Sequence, residues 1–519
     1  MYRIGVDVGG TNTDAVILKD REVVVGLKRP TTADVTSGVV NALEAAITQA
    51  GIDRKLISAV MIGTTHFTNA VVERRHLNKV AAIRIGLPAA ACLPPMVDWP
   101  ADLREAVGDY GYMIHGGYEF DGRELHPLDE PALIQIAKEI ADKDIRAAAV
   151  TCIFSPIQQN MEERAKQILQ EYCPDLPVVL SSDIGRMGLL ERESASIMNA
   201  SLLELSERTI DAFSEALVSC ELHCPFFITQ NDGTLMAAES VKRFPVQTFA
   251  SGPTNSMRGA AFLTGVKDAI VVDIGGTTSD VGALQHGFPR QASTVVDVGG
   301  VRTNFRMPDV FAIGLGGGSL VEQGADGKVT VGPKSVGYRI LEEGLVFGGN
   351  TLTASDIAVA TGMAEMGDAS KVADLDPALV EAARARMAEM LERAVERSRL
   401  SAAPLPVIAV GGGSILMPEK LGDLEVVRPE NYAVANAVGA AIAQISGDVD
   451  RIFALENGLT REDCLRIAEE EARAKAIAAG AQADTIELIE KEDVPLAYLP
   501  GHATRIRVKV VGEMGQIGG

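Results

Sequence analysis

Residues 7–18 read DVGGTNTDAVIL and residues 273–284 read DIGGTTSDVGAL. The two segments share Asp, Gly, Gly, Thr, Asp and Leu at equivalent places and stand 266 residues apart, about half of the 519-residue chain. Each follows a β-rich run, Tyr2 to Val6 and Ala269 to Val272, and each is followed by another, Ala15 to Leu18 and Val281 to Leu284. Each unit therefore reads as a β-hairpin with a tip rich in glycine and hydroxyl groups. Repetition at half-chain spacing predicts two related lobes facing each other across a cleft.

Such tips have a direct chemical use. Glycine removes the Cβ atoms that would keep a polyphosphate away from backbone N–H groups, and hydroxyls add donors. An aspartate at the strand end can hold Mg²⁺, because hard cations choose oxygen ligands. Asp7 and Asp273 are thus the candidate metal residues. Gly9, Gly10, Thr11, Asn12 and Thr13 would face one side of the phosphates, and Gly275, Gly276, Thr277 and Thr278 the other. Asp14 and Asp280, seven residues after the first aspartate of each hairpin, are further candidates for holding metal or orienting water. Neither a Rossmann G-x-G-x-x-G at these places nor a Walker G-x-x-x-x-G-K-[ST] occurs, so a helix N-terminus is not the expected phosphate site. Gly411, Gly412 and Gly413 follow a buried-looking strand, Leu405 to Val410, and would let adenine or ribose lie against backbone. The cluster Gly314 to Ser319 could do the same or simply turn the chain.

Between the hairpins, strand-like and helix-like segments alternate, which specifies α/β lobes with mixed sheets. One helix is expected over residues 189–218 and another over 436–445. The stretch 88–128, with its prolines, glycines and aromatics, is either a small subdomain or a loop over the cleft. The expected division is a first lobe over 1–250 that carries this insertion, a second lobe over 251–448, and a small C-terminal α+β region over 449–519.

Composition narrows the partners. Lys and Arg number 48 against 70 Asp and Glu, a net charge of −22, and aromatics make up only 4%. Neither a phosphate-backbone surface nor an anionic-lipid surface fits that balance, so no nucleic acid and no membrane is expected, and phosphate must be held locally. Six cysteines without a C-x-x-C pair read as buried thiols in a reducing compartment, and the expected location is cytoplasmic.

The strings GGTNTD (9–14), GTTHFTNAVVER (63–74), ERESASIMNASLL (191–203), SGPTNSMRGA (251–260), DIGGTTSD (273–280) and IGLGGGS (313–319), with the later GGG and Asn436 to Ala441, carry a family resemblance. The chain resembles the hydantoinase A/5-oxoprolinase family of the actin/hexokinase/Hsp70 ATPase superfamily. The resemblance implies an α/β fold: two actin-like, ribonuclease H-like ATPase lobes around a nucleotide cleft, with the α+β region appended. It implies use of ATP and Mg²⁺ to hydrolyse a cyclic amide or imide such as a hydantoin, 5-oxoproline or a lactam, through phosphorylation of the carbonyl oxygen and attack by water. It also implies a separate B-type partner subunit. Two departures bear on the substrate: His66-Phe67 where a small aliphatic pair is expected, and Thr254-Asn255-Ser256 after SGP. The rival readings are a free-standing small-molecule kinase and a non-enzymatic actin-like or activating ATPase.

His66 stands at an expected strand-to-helix junction and either contacts substrate or phosphate as a catalytic group, or caps and packs. Asn69 shares its helix face with Thr65. His115 is a weaker candidate in the irregular stretch. Cys220, His223 and Cys224 lack a further ligand to complete a tetrahedron and are read as structural. Arg192, between Glu191 and Glu193, is expected in a surface salt bridge.

Overall fold

The computed structural model describes residues 1–9, 12–32, 35–292, 295–399, 405–453, 455, 459–496 and 503–515. Gly10 and Thr11 lie outside the described residues.

The first hairpin pairs Tyr2–Val8 with Asn12–Lys19, and the second pairs Ala269–Ile274 with Ser279–Gln285. Their registers are equivalent: Asp7 lies opposite Asp14, and Asp273 opposite Asp280. Each turn is closed by the first glycine's N–H, Gly9 to the Asn12 carbonyl at 3.0 Å and Gly275 to the Thr278 carbonyl at 2.9 Å. Each hairpin also takes a parallel neighbour on its first strand: Ile57–Thr64 in the first lobe, Val407–Val410 in the second. The repeat read from sequence is therefore a repeat of sheet topology, in two α/β lobes with mixed sheets.

The first hairpin belongs to a nine-stranded sheet, with Glu22–Pro30 at one edge. At the other edge the C-terminal α+β appendage continues the sheet: Gln444–Phe453 and Glu487–Pro495 flank Thr504–Gly512. Helix Arg461–Ala478 covers these strands with Cys464, Ala468, Ala472 and Ala476, all fully buried. A four-stranded parallel sheet of Tyr110–His115, Val80–Leu87, Ala147–Cys152 and Val178–Leu180 has its own apolar core. Part of the 88–128 stretch, the strand Tyr110–His115, forms its edge.

Two segments depart from the expected helices. The helix over 189–218 is divided into Leu189–Ser201 and Leu203–Ser219, because the Ser201 carbonyl accepts the N–H of Asn78 at 2.7 Å and leaves the helical ladder. The helix over 436–445 ends at Ala441, and Gln444 already begins the strand that pairs with Thr504–Gly512. The cysteines are also not uniformly buried, since Cys92 is exposed.

The two lobes meet where helix Ser251–Thr264 crosses helix Ala435–Ala441. Their backbones approach so closely that a Cβ on Gly439 would overlap the Asn255 carbonyl, and one on Gly259 the Ala435 carbonyl. Only glycine permits that approach. It brings Asn255 and Asn436, one from each helix, to the ends of the strands that carry the hairpin aspartates.

Candidate functional site

Asp7 and Asp14 are joined by one asparagine amide, and Asp14 and Asp273 share a lysine that the sequence alone did not single out. Lys28 lies directly across the sheet from Asp14 in the register of Asn12–Lys19 with Glu22–Pro30. Its ammonium donates to Asp14 Oδ2 at 2.5 Å. Its Cε lies 3.9 Å from where a Cβ on Gly412 would stand, so the side chain reaches the second lobe's glycine triplet. The Asn436 amide links the first-lobe carboxylates, its Nδ2 donating to Asp7 Oδ2 at 3.0 Å and to Asp14 Oδ2 at 2.8 Å. Asn255 Nδ2 donates to Thr229 Oγ1 at 2.9 Å and to Asp7 Oδ1 at 3.4 Å. One of the two departures from the family pattern thus supports a hairpin aspartate.

Glycine recurs beside both aspartates for one reason. A Cβ on Gly63 would overlap Asp7 Oδ1, and one on Gly411, whose φ is +83°, would overlap Asp273 Oδ1. Gly63 lies opposite Asp7 in the parallel register, and Gly411 follows Val410, which lies opposite Asp273. The GTT and GGG strings are therefore counterparts, each making room for a carboxylate. The Gly314 to Ser319 cluster also finds its place here: Gly317 and Gly318 donate to the carbonyls of Gly275 and Gly276 at 3.0 and 2.7 Å, bracing the second tip.

Electrostatics concentrate in this cluster. Burial, then repulsion from Asp14, pushes the Asp7 carboxyl up to about 6, against the pull of the Asn255 and Asn436 amides. Burial also raises Asp273, opposed by a Ser256 hydrogen bond and by Lys28. Asp280 rises to about 7 through burial and the proximity of Asp273. Asp14 Oδ1 is buried without a hydrogen-bond partner. Carboxylates strained in this way, with an open acceptor among them, fit a divalent cation. Among the described residues no three His, Cys, Asp or Glu side chains form a ready-made metal cage. Mg²⁺ suits such a place, because it usually takes one or two carboxylates and completes its shell with water and phosphate.

The remaining residues separate by exposure. Asn12, Gly276, Thr277, Thr278 and Gly412 are exposed at the tips, whereas Thr13 is buried with its hydroxyl 3.2 Å from that of Thr31. Gly413 is packed against the second hairpin, where a Cβ would stand 2.6 Å from the Gly275 carbonyl. His66 opens helix His66–Glu73, its Nδ1 2.5 Å from Thr64 Oγ1, and burial lowers its pKa so that the ring is neutral at pH 7. Thr64 itself pairs with Val8 at the end of the first hairpin strand. Asn69 Nδ2 lies 3.4 Å from Thr65 Oγ1. His115 instead ends the edge strand of the four-stranded sheet, its ring 4.9 Å from that of His126. Cys220 is buried, and burial pushes its thiol up to about 12.

Arg192 corrects an expectation. It is fully buried and forms no salt bridge among the described residues; its guanidinium donates to Ser181 Oγ at 2.9 Å, to the Cys152 carbonyl at 2.7 Å and to the carbonyls of Arg186 and Met187 at 2.9 Å each. Lys28 and Asn436 were missed for different reasons. Lys28 needed the register of a third strand, although its alternation with Gly26 was readable. Asn436 needed the crossing of two helices far apart in sequence.

Comparison with known proteins follows the same architecture. The model of the hydantoinase/oxoprolinase N-terminal region matches residues 3–173, and the hydantoinase/oxoprolinase model matches residues 192–368, together about two thirds of the chain. The caprolactamase subunit alpha of Pseudomonas jessenii is 26% identical over 468 residues, 85% of this chain and 65% of its own length. The acetophenone carboxylase gamma subunit of Aromatoleum aromaticum is 26% identical over 389 residues, 69% of this chain and 53% of its own. This chain thus spans between about half and two thirds of the length of these curated relatives. Among solved structures, the ATP-dependent caprolactamase from Pseudomonas jessenii shares the fold with a TM-score of 0.78 at 19% identity, covering 98% of this chain and 87% of that one. Nucleotide-free acetone carboxylase does so with a TM-score of 0.70 at 17% identity, covering 99% and 88%. With both family models matched in order along its length, the chain belongs to the hydantoinase/oxoprolinase family.

Proposed function

We propose that this chain is the ATP-using, A-type subunit of an enzyme that opens a cyclic amide or imide, such as a hydantoin, 5-oxoproline or a lactam. The observation that carries the reading is the cluster of Asp7, Asp14 and Asp273 between two glycine-rich tips, with Asn436 joining the first two and Lys28 acting on the last two. The relatives supply the chemical class: one is named a caprolactamase subunit, another a carboxylase subunit. Their naming as subunits supports a separate B-type partner. No helix among the described residues is long and apolar enough to cross a membrane.

An unstrained lactam carbonyl is a poor electrophile, so ring opening gains its driving force from ATP. Mg²⁺ held by Asp7 and Asp273 would neutralise charge on the phosphates. This chain's own part is positioning. The exposed tip residues Asn12, Gly276, Thr277 and Thr278 face phosphate from two sides. Gly9 and Gly275 shape the turns, since their N–H groups are already used within them. Lys28 holds Asp14 and places positive charge between the lobes. Asn436 keeps Asp7 and Asp14 fixed relative to each other. Neutral His66, steadied by Thr64, can accept a proton at the end of the first hairpin.

A panel of hydantoins, 5-oxoproline and lactams, assayed for ADP release with and without a co-purified partner, tests the reading. Slow turnover by the chain alone and stoichiometric ring opening, ADP and phosphate with the partner are expected. A stable phosphorylated product formed without any partner would show a kinase instead. Asn436→Ala is expected to lower ATP turnover about 10–100-fold, the usual range for a residue supporting metal ligands. Because the Asn436 hydrogen bond holds the Asp7 pKa down, the acid limb of the pH–rate profile should also move to higher pH. An unchanged limb would show that Asn436 does not position Asp7.

A further inference from the structure

A second cavity, of about 340 Å³, opens between the short helix Ser181–Ile184 with the loop 185–187 that follows it, the turn 230–232, Phe305–Arg306 and the C-terminal strands Gln444–Phe453 and Thr504–Gly512. None of the hairpin residues lines it. Its inner wall holds an unusual set of guanidinium groups. Arg505 takes both oxygens of Asp450, at 2.7 and 2.6 Å. That leaves Arg186 only a 3.6 Å ion pair with the same carboxylate and no side-chain hydrogen bond among the described residues. Among the described residues Arg306 Nη2 is buried without any hydrogen-bond partner; the guanidinium has only two long ion pairs, Asp448 at 3.6 Å and Glu490 at 3.9 Å. The arrangement is built, because Arg192, from beneath, binds the carbonyls of Arg186 and Met187 and sets the course of the loop that carries Arg186.

A buried guanidinium without an acceptor is costly, and planar forked donors match a carboxylate. The ion pairs show which donor is open. Asp232 is paired with Lys509 at 2.7 Å and Arg507 with Glu490 at 2.9 Å and Glu492 at 3.1 Å, whereas Arg186 has only a carboxylate already held by Arg505. The rim groups Asp183, Arg451 and Lys475 are exposed to water and screened. On a chain of net charge −22, such a pocket is a local feature and not part of a basic surface. Crowding has a cost of its own: burial and the neighbouring Arg507, Arg306 and Arg505 lower the Arg186 pKa to about 10.

We propose that this cavity is a ligand site separate from the hairpin cleft, in which Arg186 and Arg306 bind the carboxylate of a small monocarboxylic acid. The volume falls within the range of small-molecule sites. The assignment does not depend on what the hairpins bind.

Isothermal titration of the full chain with butyrate, 4-aminobutyrate and inorganic phosphate tests it. Saturable binding of a carboxylate probe at submillimolar concentration is expected, with phosphate at least tenfold weaker. Arg186→Gln should weaken the carboxylate at least tenfold. Arg186→Lys, which keeps the charge but loses the planar fork, should weaken it several-fold and decides the matter if Arg186→Gln does not fold. Asp7→Asn should bind the probe as the unaltered chain does. No saturable binding of either carboxylate, tighter binding of phosphate, or affinity unchanged in Arg186→Lys would each overturn the proposal.

Discussion

Replacing Asp7 by asparagine is expected to abolish ATP turnover while making the protein more stable at neutral pH. The loss should be on the order of 10³-fold, a rise of about 4 kcal/mol in the barrier, because the substitution removes a proposed metal-binding carboxylate without changing its shape. The gain in stability follows from the raised pKa. In the folded protein Asp7 titrates at about 6, against 3.8 for the ordinary group, so between those values the native state binds more protons than the unfolded chain. The contribution of Asp7 to stability is therefore fully present below pH 3.8 and is lost as pH rises through about 6. Above that, the ionised carboxylate costs on the order of 2–3 kcal/mol; asparagine avoids this cost but turns an amide donor toward Asn255 or Asn436, which offsets about 1 kcal/mol of the gain. Urea unfolding without divalent cations should show Asp7→Asn more stable than the unaltered chain at pH 7.5, with the difference gone near pH 4. Turnover should fall on acidification with a midpoint at or below about pH 6, since a bound cation favours the carboxylate. Full activity in Asp7→Asn would remove the paired-hairpin reading; lower stability at pH 7.5 would show that the carboxylate is better solvated than its burial implies.

The largest loss of stability is expected from Glu193→Ala. Arg84, in the central region of the four-stranded sheet, is completely buried, and Glu193 is 3% exposed. The guanidinium donates to Glu193 through Nε, at 2.7 Å, and through Nη2, and its Nη1 donates to the Leu93 carbonyl. Removing the carboxylate leaves an arginine without its counter-charge between helix Leu189–Ser201 and strand Val80–Leu87. Broken buried pairs of this kind cost about 3–5 kcal/mol. Replacing both partners together, as Arg84→Met with Glu193→Leu, should recover most of that loss, because the cost arises from the stranded charge and not from missing volume. A denaturation midpoint for Glu193→Ala that corresponds to less than about 1 kcal/mol would show that water reaches the pair.

These effects mark where the sequence was legible. The hairpins could be read because their signals are local: a strand, a glycine turn and a second strand lie within residues 2–19 and again within 269–285, and the repeat identifies both. Asp7, Asp14 and Asp273 could be chosen on chemistry and position alone. Arg192 and Glu193 could not be read correctly, since a charged pair on a helix is indistinguishable by pattern from a solvated one. The burial of Glu193 depends on a strand that begins more than a hundred residues earlier, and that of Arg192 on Cys152, forty residues earlier. The division of the helix at Ser201 has the same origin, a single hydrogen bond from Asn78.

The amino-acid sequence by itself determined the family, the α/β class and the two related lobes, and it nominated the aspartates proposed for the site, because each rests on residues close together in the chain or on the repetition of such a group. Only the tertiary structure decided that Lys28 and Asn436 complete the aspartate cluster, that the GTT and GGG strings are counterparts, and that arginines from three distant segments line a second cavity. Those relations depend on strand register and on helix crossing. Both are set by the burial of whole surfaces against one another, a property that no short stretch of sequence contains.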